Sequence, residues 1–513
     1  MKKYAIISSM KLYSTRNKNE IITPKDAIIR GLSLEGGLYS PLLSDIKSQC
    51  FNIKDLLKAS YKDISKIVFK TFLSDFTDEE IETCINNAYG DSNFGAYKDN
   101  IAPTTKIGNH FLLELYHGPT SAFKDMALTI LPQFLTTAYK SKGSDSKVYI
   151  LTATSGDTGK AALSGFRDVP NVFITVFYPT DGVSGIQKMQ MQTSEGNNVS
   201  VVALNGDFDD CQRLVKEIYT DEKIKELCFK NKVVLSSANS INIGRLVPQI
   251  VYYINSYVEL VRNNNIKLYD KVNFIVPTGN FGDILAGFIA KNLGLPINRL
   301  ICASNDNNVL TDFIETGIYN KNRKLYKTIS PSMDILVSSN LERLLFLLSD
   351  GDSTLIKSLM NVLNTKGTYT VSDTLLSRIK EHFSCSFANE NECRETIKDA
   401  YFNDKRLIDT HTAVAYACLK KYLKNNSDDK SVNVILSTAS PYKFARAVLP
   451  CIIEENVAKL DDFECIDKLY TISNEPIPQN LSTLRDKAIR FNDTLSYDAC
   501  KSYVTNKIGG LND

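Results

Sequence analysis

Strands that run into glycine-rich turns and helices recur along this chain of 513 residues. Each begins as an apolar run of strand length, and the spacing of apolar residues beyond the turn changes to that of a helix. The clearest runs are KVYILTA (147–153), NVFITVFYP (171–179), NVSVVALNG (198–206), KVNFIVPTG (271–279) and SVNVILSTAS (431–440). Repeated strand–turn–helix units predict an α/β fold with parallel sheets and short right-handed crossovers.

The remaining sections have other patterns. Residues 1 to about 100 mix short strands and helices, with a helix start at Thr23 followed by a proline. Residues 1–10 predict a first strand and not a signal peptide, because only a short apolar run follows the two lysines. Residues from about 340 to 425 are predicted to be mostly helical. A chain of this length with 43% hydrophobic residues suggests two or three domains.

Composition argues against several kinds of partner. Sixty basic and 58 acidic residues leave a formal charge of +2, without the basic patch expected for nucleic-acid binding. No run of 18 apolar residues appears, so we expect no membrane span. Eleven cysteines without a CxxC pair, and four histidines, predict free thiols in a reducing, cytoplasmic compartment and no metal site.

Two glycine-rich turns are candidate anion sites. In open α/β sheets, ligands bind beyond the carboxyl ends of the strands, where a helix N-terminus offers unpaired N–H groups. TSGDTGK (154–160) is close to a P-loop but lacks its first glycine and the Ser or Thr after the lysine. PTGNFGD (277–283) forms a second possible cup of N–H donors. By itself, each turn is equally compatible with a plain strand-to-helix connection.

Lys124 lies in an unusual place for a lysine. HGPTSAFKDMALTIL (117–131) puts it just before an apolar helical run, where the helix dipole disfavours a positive charge. That field, together with burial, would lower the pKa of the amine and make it nucleophilic. A neutral amine near a phosphate cup suits pyridoxal phosphate, which has an aldehyde and a phosphate. On local grounds alone, a solvated surface lysine is the other interpretation.

Several segments together resemble threonine synthase, a pyridoxal-phosphate enzyme of fold type II (the tryptophan-synthase β type). They are HGPTSAFKDMAL (117–128), TSGDTGKAA (154–162), NSINIGRLVPQ (239–249), PTGNFGDILAG (277–287) and SPSMDILVSSNLERLLF (330–346). Similarity runs over nearly the whole chain. Several long motifs in the family's order are far more specific than any one of them.

The resemblance implies roles for residues in these segments. Lys124 would be the catalytic lysine that forms the aldimine, with Phe123 packed near the cofactor ring. Further cofactor-binding residues would be Gly279, Asn280, Phe281, Gly282, Asp283 and, at the ring nitrogen, Thr438. Substrate-binding residues would be Thr154, Ser155, Asp157, Thr158, Lys160, Asn242 and Arg245. We expect Asp157 to cap its turn, because a carboxylate cannot itself attract an anion.

The family also implies a domain organisation. We expect fold type II, with two parallel-sheet domains that carry helices on both faces and an N-terminal α+β section. The N-terminal domain would span residues 1–100. The large, pyridoxal-phosphate-binding domain would comprise 101–140 and 240–513, and residues 141–239 would form a small mobile domain that closes over the site.

The implied activity converts O-phospho-L-homoserine and water to L-threonine and phosphate, in a monomer or homodimer. Two positions depart from the family pattern: Ser440 replaces a histidine, and Thr410 replaces a proline before His411. One alternative is therefore a phospholyase that releases a 2-keto acid, ammonia and phosphate. Another is a non-catalytic protein that binds an anion or nucleotide at TSGDTGK, which would be colourless.

Overall fold

The structure is a computed structural model and describes residues 10–143, 146–154 and 156–512. The strands are β1 (Leu12–Ser14), β2 (Asn17–Ile22), β3 (Tyr39–Ser40), β4 (Thr104–Ile107), β5 (His110–Glu114), β6 (Lys147–Ala153), β7 (Val172–Pro179), β8 (Val199–Leu204), β9 (Val233–Ser236), β10 (Val272–Pro277), β11 (Ile297–Ser304), β12 (Ile318–Asn320), β13 (Thr368–Thr370), β14 (Phe383–Phe387), β15 (Val432–Ser437) and β16 (Thr494–Leu495).

The α-helices are α1 (Pro24–Arg30), α2 (Leu43–Ser48), α3 (Tyr61–Phe72), α4 (Asp78–Ala88), α5 (Asp91–Phe94), α6 (Asp125–Leu128), α7 (Leu131–Ser141), α8 (Asp157–Gly165), α9 (Gly185–Gln192), α10 (Phe208–Thr220), α11 (Glu222–Lys230), α12 (Ile243–Arg262), α13 (Gly282–Asn292), α14 (Val309–Thr316), α15 (Leu341–Leu348), α16 (Ser353–Lys366), α17 (Asp373–His382), α18 (Glu390–Phe402), α19 (Thr410–Asn425), α20 (Ala445–Ile452), α21 (Asp462–Ser473), α22 (Gln479–Ser482) and α23 (Tyr497–Gly509). Short 3-10 helices lie at Ile53–Leu56, Gly95–Tyr97, Pro331–Met333, Pro441–Phe444, Leu484–Asp486 and Gly510–Asn512.

A six-stranded sheet forms the larger half of the fold, in the order β14-β11-β10-β15-β5-β4. All neighbouring strands are parallel except β4, which pairs antiparallel with β5. Helix α13 packs on β10 and β11, and α19 packs on the same strands from the other side. Both faces of β10 are therefore buried: Phe274 belongs to one core cluster and Ile275 to another.

A second sheet is wholly parallel, in the order β16-β8-β7-β6-β9. Successive residues of β6 alternate between two cores, with Ile150 in one and Leu151 in the other. A strand buried on both faces has to be apolar along its length, which explains the continuous apolar runs in the sequence. The expected α/β fold, with two parallel sheets that carry helices on both faces, is confirmed.

The N-terminal section is α+β, as predicted. Strands β1 to β3 form a small antiparallel sheet, and helices α1 to α5 follow and separate them. The Thr23 hydroxyl accepts the N–H of Asp26 and caps α1, with Pro24 at its first position. The predicted first strand falls on residues 1–10, which apart from Met10 lie outside the described residues.

The structure corrects one detail of the sequence-based organisation and adds to another. The C-terminal strand β16 pairs with β8, and α23 packs on α10 and α11, so the end of the chain belongs to the smaller sheet and not to the larger one. The stretch 340–425 is mostly helical, but it also supplies β14, the edge strand beside β11. A five-residue edge strand has too short an apolar run to be recognised locally. No helix in the described ranges combines the length and apolarity needed to cross a membrane.

Candidate active site

Lys124 lies where two neighbouring parallel strands end. Strands β5 and β15 are adjacent, and the segments that follow them pair with each other. The Phe123 N–H donates to the Thr438 carbonyl oxygen at 2.8 Å, and the Ser440 N–H donates to the Ser121 carbonyl oxygen at 3.1 Å. This pairing places Lys124, at the start of α6, beside the Thr438 backbone.

The Lys124 amine is buried among charged groups, so the surface interpretation is wrong. Its side chain is 10% exposed, and Nζ lies 3.7 Å from Asp157 Oδ2. Nζ also donates to Ser332 Oγ at 3.5 Å and lies 4.9 Å from the centre of the Phe123 ring. Burial lowers the pKa of Lys124 to about 8; Asp157 opposes this shift, while nearby Arg245 and Lys443 add to it.

The Gly279–Gly282 turn connects β10 to α13. Phe281 adopts a left-handed conformation at φ 60° and is the N-terminal cap residue of α13. The carbonyl oxygen of Asn280 accepts from Asn340, and that of Gly279 accepts from Ser338. Among the described residues, no acceptor receives a hydrogen bond from the backbone N–H groups of this turn. The turn therefore offers unused donors at a helix start, which suits a phosphate.

The TSGDTGK turn is held by Thr154 and not by Asp157, which corrects the expected cap. Thr154 Oγ1 accepts the N–H groups of Gly156 at 3.0 Å and Gly159 at 2.9 Å. The Asp157 carboxylate instead contacts side chains outside the turn: Lys443 Nζ at 2.6 Å, Gln187 Nε2 at 2.8 Å and Ser332 Oγ at 3.2 Å. Burial would raise the pKa of Asp157, but Lys443 and Lys124 hold it well below its usual range.

The other residues predicted for this turn are placed differently. Ser155 lies outside the described residues. Thr158 is half-buried in the first turn of α8. Lys160 Nζ donates to Ser194 Oγ at 3.1 Å within the smaller sheet's layer, and burial lowers its pKa to about 8. These contacts neither assign nor remove a role for Thr158 and Lys160 in substrate binding, which stays a prediction.

Asn242 and Arg245 lie at the start of α12, and they differ in how many of their hydrogen-bonding groups are occupied by the protein itself. Asn242 caps the helix through the Gly244 N–H, and its amide nitrogen donates to the Ile28 carbonyl oxygen at 2.9 Å. The Arg245 guanidinium is 5% exposed and donates to the Ala238 carbonyl oxygen at 2.9 Å. Burial lowers its pKa to about 10. Among the described residues no carboxylate pairs with Arg245, so it is a buried cation available to an anion.

The Asp283 side chain, at the start of α13, contacts α12. Its carboxylate accepts from the hydroxyls of Tyr252 at 2.5 Å and Tyr253 at 2.8 Å, on α12. Burial raises its pKa to about 6, while those two hydrogen bonds act in the opposite direction. Its side chain joins α13 to α12 through one carboxylate oxygen, and the other oxygen has no partner among the described residues. A cofactor role for Asp283 stays a prediction.

Three residues of the site were not predicted as site residues. Lys443 is completely buried and forms the ion pair with Asp157. Ser332 Oγ lies between Lys124 and Asp157, and its N–H donates to His411 Nε2 at 3.2 Å. His411 therefore carries its proton on Nδ1, 2.7 Å from Asp409 Oδ2. The sequence signals Lys443 only through its position three residues after Ser440, and no local pattern indicates that Lys443 pairs with Asp157.

Comparison with known proteins gives family matches over most of the chain. Residues 99–438 match the family described as pyridoxal-phosphate dependent enzyme. Residues 11–89 match the threonine synthase N terminus, and residues 412–504 match the threonine synthase C-terminal family.

Curated relatives and solved structures agree with these matches. Threonine synthase of Saccharomyces cerevisiae is 37% identical over 85% of this chain and 88% of its own length. Threonine synthase-like 1 of Homo sapiens is 38% identical over 88% of this chain, which spans 62% of that relative's length. A PLP-bound threonine synthase from Brucella melitensis has a TM-score of 0.82 at 34% identity, and covers 97% of this chain and 99% of its own. The yeast structure has a TM-score of 0.84 at 31% identity, over 98% of this chain and 99% of its own.

Proposed function

We propose, because the chain belongs to the threonine synthase family of pyridoxal-phosphate-dependent enzymes, that it converts O-phospho-L-homoserine and water to L-threonine and inorganic phosphate. The observation that carries the proposal is the Lys124 amine. It is buried, has a pKa of about 8, and lies near two cations, Arg245 and Lys443. Such a group can accept a proton near neutral pH in a pocket that attracts a phosphorylated substrate.

The site residues fit the family's cofactor. A Cβ added to Gly279 would lie 2.9 Å from the Ser332 carbonyl oxygen, so only glycine allows the turn and the Ser332 segment to approach this closely. Without a side chain at this position, the N–H groups of the turn stay accessible to a phosphate. When bound, pyridoxal phosphate supplies an aldehyde that reacts with amines and a ring that withdraws electrons from the substrate. We assign the phosphate to the Gly279–Gly282 turn, the aldehyde end to Lys124 and the ring nitrogen to Thr438.

Proton transfer is assigned to Lys124 Nζ. An amine with a pKa of about 8 is partly neutral at physiological pH, so it can take a proton from the substrate α-carbon and return it later. Ser332 Oγ at 3.5 Å and Asp157 at 3.7 Å are in place to stabilise the protonated amine between transfers. One mobile amine can therefore serve several steps.

The substrate carries a phosphate and a carboxylate, which need donors that the fold has not already used. We assign the phosphate to Arg245, because its guanidinium is buried, has one carbonyl partner among the described residues, and suits a forked contact. We assign the carboxylate to the start of α8, around Thr158. Residues 141–239 would move toward the larger sheet as a lid that keeps water out until phosphate has left.

The test uses the full-length protein and Lys124→Ala. We expect the wild type to be yellow, to be bleached by borohydride, and to release threonine and phosphate in equal amounts from O-phospho-L-homoserine. Lys124→Ala should lose the borohydride-sensitive absorbance and the activity, whereas Lys98→Ala, at an exposed ion pair, should keep both. A colourless wild type that binds nucleotide would instead favour the anion-binding protein.

Ser440 favours keeping the phospholyase as a second candidate. It replaces the family's histidine, it is 1% exposed, and its N–H is bonded to Ser121 near Lys124. A hydroxyl with an ordinary pKa cannot exchange protons near pH 7 as an imidazole can. Incubation with O-phosphohomoserine and O-phosphothreonine decides: threonine as the product supports the synthase, and 2-oxobutyrate with ammonia supports the phospholyase.

A further inference from the structure

Lys443 connects the two halves of the site. It lies in the 3-10 helix Pro441–Phe444 that follows β15 of the larger sheet, and its side chain is completely buried. Its Nζ lies 2.6 Å from Asp157 Oδ1 and donates to the Thr120 carbonyl oxygen at 3.0 Å. Thr120 belongs to the segment before Lys124, and Asp157 begins α8 beside the smaller sheet.

The Asp157 carboxylate has two ammonium groups within reach and is closer to one of them. Oδ1 lies 2.6 Å from Lys443, whereas Oδ2 lies 3.7 Å from Lys124. Ion-pair attraction in a buried site increases steeply as the distance falls, so Lys443 is the main counter-ion. Gln187 and Ser332 occupy further lone pairs of the carboxylate and fix its orientation.

We propose that Lys443 is a positioning residue, which holds the Asp157 carboxylate on its own ammonium and thereby leaves the Lys124 amine free to accept a proton. The inference rests on the proposed function, in which Lys124 transfers protons. Lys443 touches neither reacting atoms nor cofactor in this role, and acts through Asp157.

Loss of Lys443 changes the charges around Lys124 in one direction. Asp157 would be left with Lys124 as its nearest cation, and the repulsion between the two lysines would disappear. Both changes stabilise the protonated form of Lys124 and raise its pKa. The other charged groups that act here are Arg245 on α12 and Asp283 on α13, with Asp125 next to Lys443; all three are retained.

The test measures the protonation of Lys124 directly, on full-length protein prepared without cofactor. Lys124 is labelled with acetic anhydride at a series of pH values, and its modification is quantified by mass spectrometry. We expect a midpoint near pH 8 in the wild type, a midpoint at least one pH unit higher in Lys443→Met, and so labelling that is about fivefold slower or more at pH 8. Lys443→Arg should stay within half a pH unit of the wild type, and Lys98→Met at a surface ion pair should not differ from it.

The double variant Lys443→Met/Asp157→Asn separates positioning from support of the fold. It removes both charges, and we expect the Lys124 midpoint to return toward the wild-type value. Asp157→Asn alone should lower the midpoint, because the Lys443 ammonium then has no carboxylate beside it. If Lys443→Met does not fold, a midpoint of Asp157→Asn equal to that of the wild type would still overturn the proposal. Equal labelling midpoints of Lys124 in wild type, Lys443→Met and Asp157→Asn would overturn the proposal and would show that Lys443 only stabilises the fold.

Kinetics with O-phospho-L-homoserine give an independent readout. A positioning role predicts that Lys443→Met lowers kcat at least tenfold at pH 7 with little change in KM, and that activity recovers as pH rises. A rise in KM of more than tenfold at unchanged kcat would overturn the proposal, because it would mean that Lys443 binds the substrate. Labelling needs no substrate, so a wild type that makes no threonine would refute the proposed function without affecting the labelling result.

Discussion

The Lys124 amine, the Asp157 carboxylate and the Arg245 guanidinium are all buried, although an isolated buried charge is unfavourable. Asp157 is stabilised by two lysines, whereas Arg245 has one carbonyl oxygen and no carboxylate among the described residues. A buried cation without a carboxylate partner weakens the fold but suits an anionic ligand. Functional sites commonly carry such strain.

Replacement of Lys124 by methionine should therefore stabilise the cofactor-free protein. Its pKa falls from an ordinary 10.5 to about 8, which corresponds to about 3 kcal/mol of destabilisation at pH 7. The unfolded chain binds more protons between pH 8 and 10.5, so the wild type should gain stability as pH rises through this window and the advantage of Lys124→Met should shrink. Guanidinium unfolding at pH 7 and 10 measures this; an advantage that is equal at both values would contradict the assignment.

Gly279→Ala should weaken cofactor binding at least tenfold. The new Cβ would lie 2.9 Å from the Ser332 carbonyl oxygen and push apart the turn and the segment that covers it. Absorbance titration with pyridoxal phosphate measures the affinity. Gly509→Ala is the matched control, because nothing lies within 4 Å of its added Cβ. Equal affinities in the two variants would exclude the turn as the phosphate site.

Helix α23 shows how a distant element completes a domain. Its Cys500, Val504 and Ile508 are fully buried against the core that β6, β7 and α10 share, and β16 extends the same sheet at its edge. The smaller sheet and its core therefore need the end of the chain, although the other strands of that sheet lie between residues 147 and 236. Its boundaries follow from packing and not from continuity of sequence.

Ile508→Ala should destabilise the smaller sheet selectively. Truncation of a buried isoleucine leaves a cavity and costs about 2–5 kcal/mol. Hydrogen exchange should become faster in β6 to β9 and stay unchanged in β10, β11 and β15, because the cavity lies in the core of the smaller sheet. Exposed Asn506→Ala is the control. Equal loss of protection in both sheets would contradict a separate small domain.

Across the whole molecule, the N-terminal section is held to the larger half by a charged contact. Arg16 donates to both carboxylate oxygens of Glu342 at 2.9 and 2.7 Å, and Thr15 Oγ1 donates to the same group at 2.5 Å. The adjacent Arg343 is fully buried, with its guanidinium on the carbonyl oxygens of Tyr39 and Ile241. One short stretch of α15 therefore joins the N-terminal section to the residues just before α12.

Glu342→Gln should loosen this junction. The pair is mostly buried, with Arg16 20% and Glu342 6% exposed, so its loss should cost about 1–3 kcal/mol, between a surface pair and a fully buried one. Denaturant unfolding measures the change, and Asp78→Asn in the exposed pair with Lys70 should change stability less. Equal effects of both substitutions would show that the junction adds nothing specific.

Local sequence patterns were sufficient for most of the buried parallel strands and for the glycine-rich turns, whereas Lys124 was singled out by the resemblance of several long motifs to a known family. Strand β6 begins and ends where the apolar run does, and the Gly279–Gly282 turn connects strand to helix as expected. The long motifs also indicated the family, which the comparisons confirm. These features could be predicted because apolar periodicity and glycine requirements act between neighbours in the chain.

Other properties of the site depend on contacts between segments that are far apart in the chain. The pairing of Lys443 with Asp157, the use of Asp283 by two tyrosines and the addition of β16 to the smaller sheet each join distant segments. Burial of Lys124, which lowers its pKa, likewise arises from residues contributed by several elements. Charge pairing and desolvation are set by distances in space, and spacing along the chain does not contain those distances.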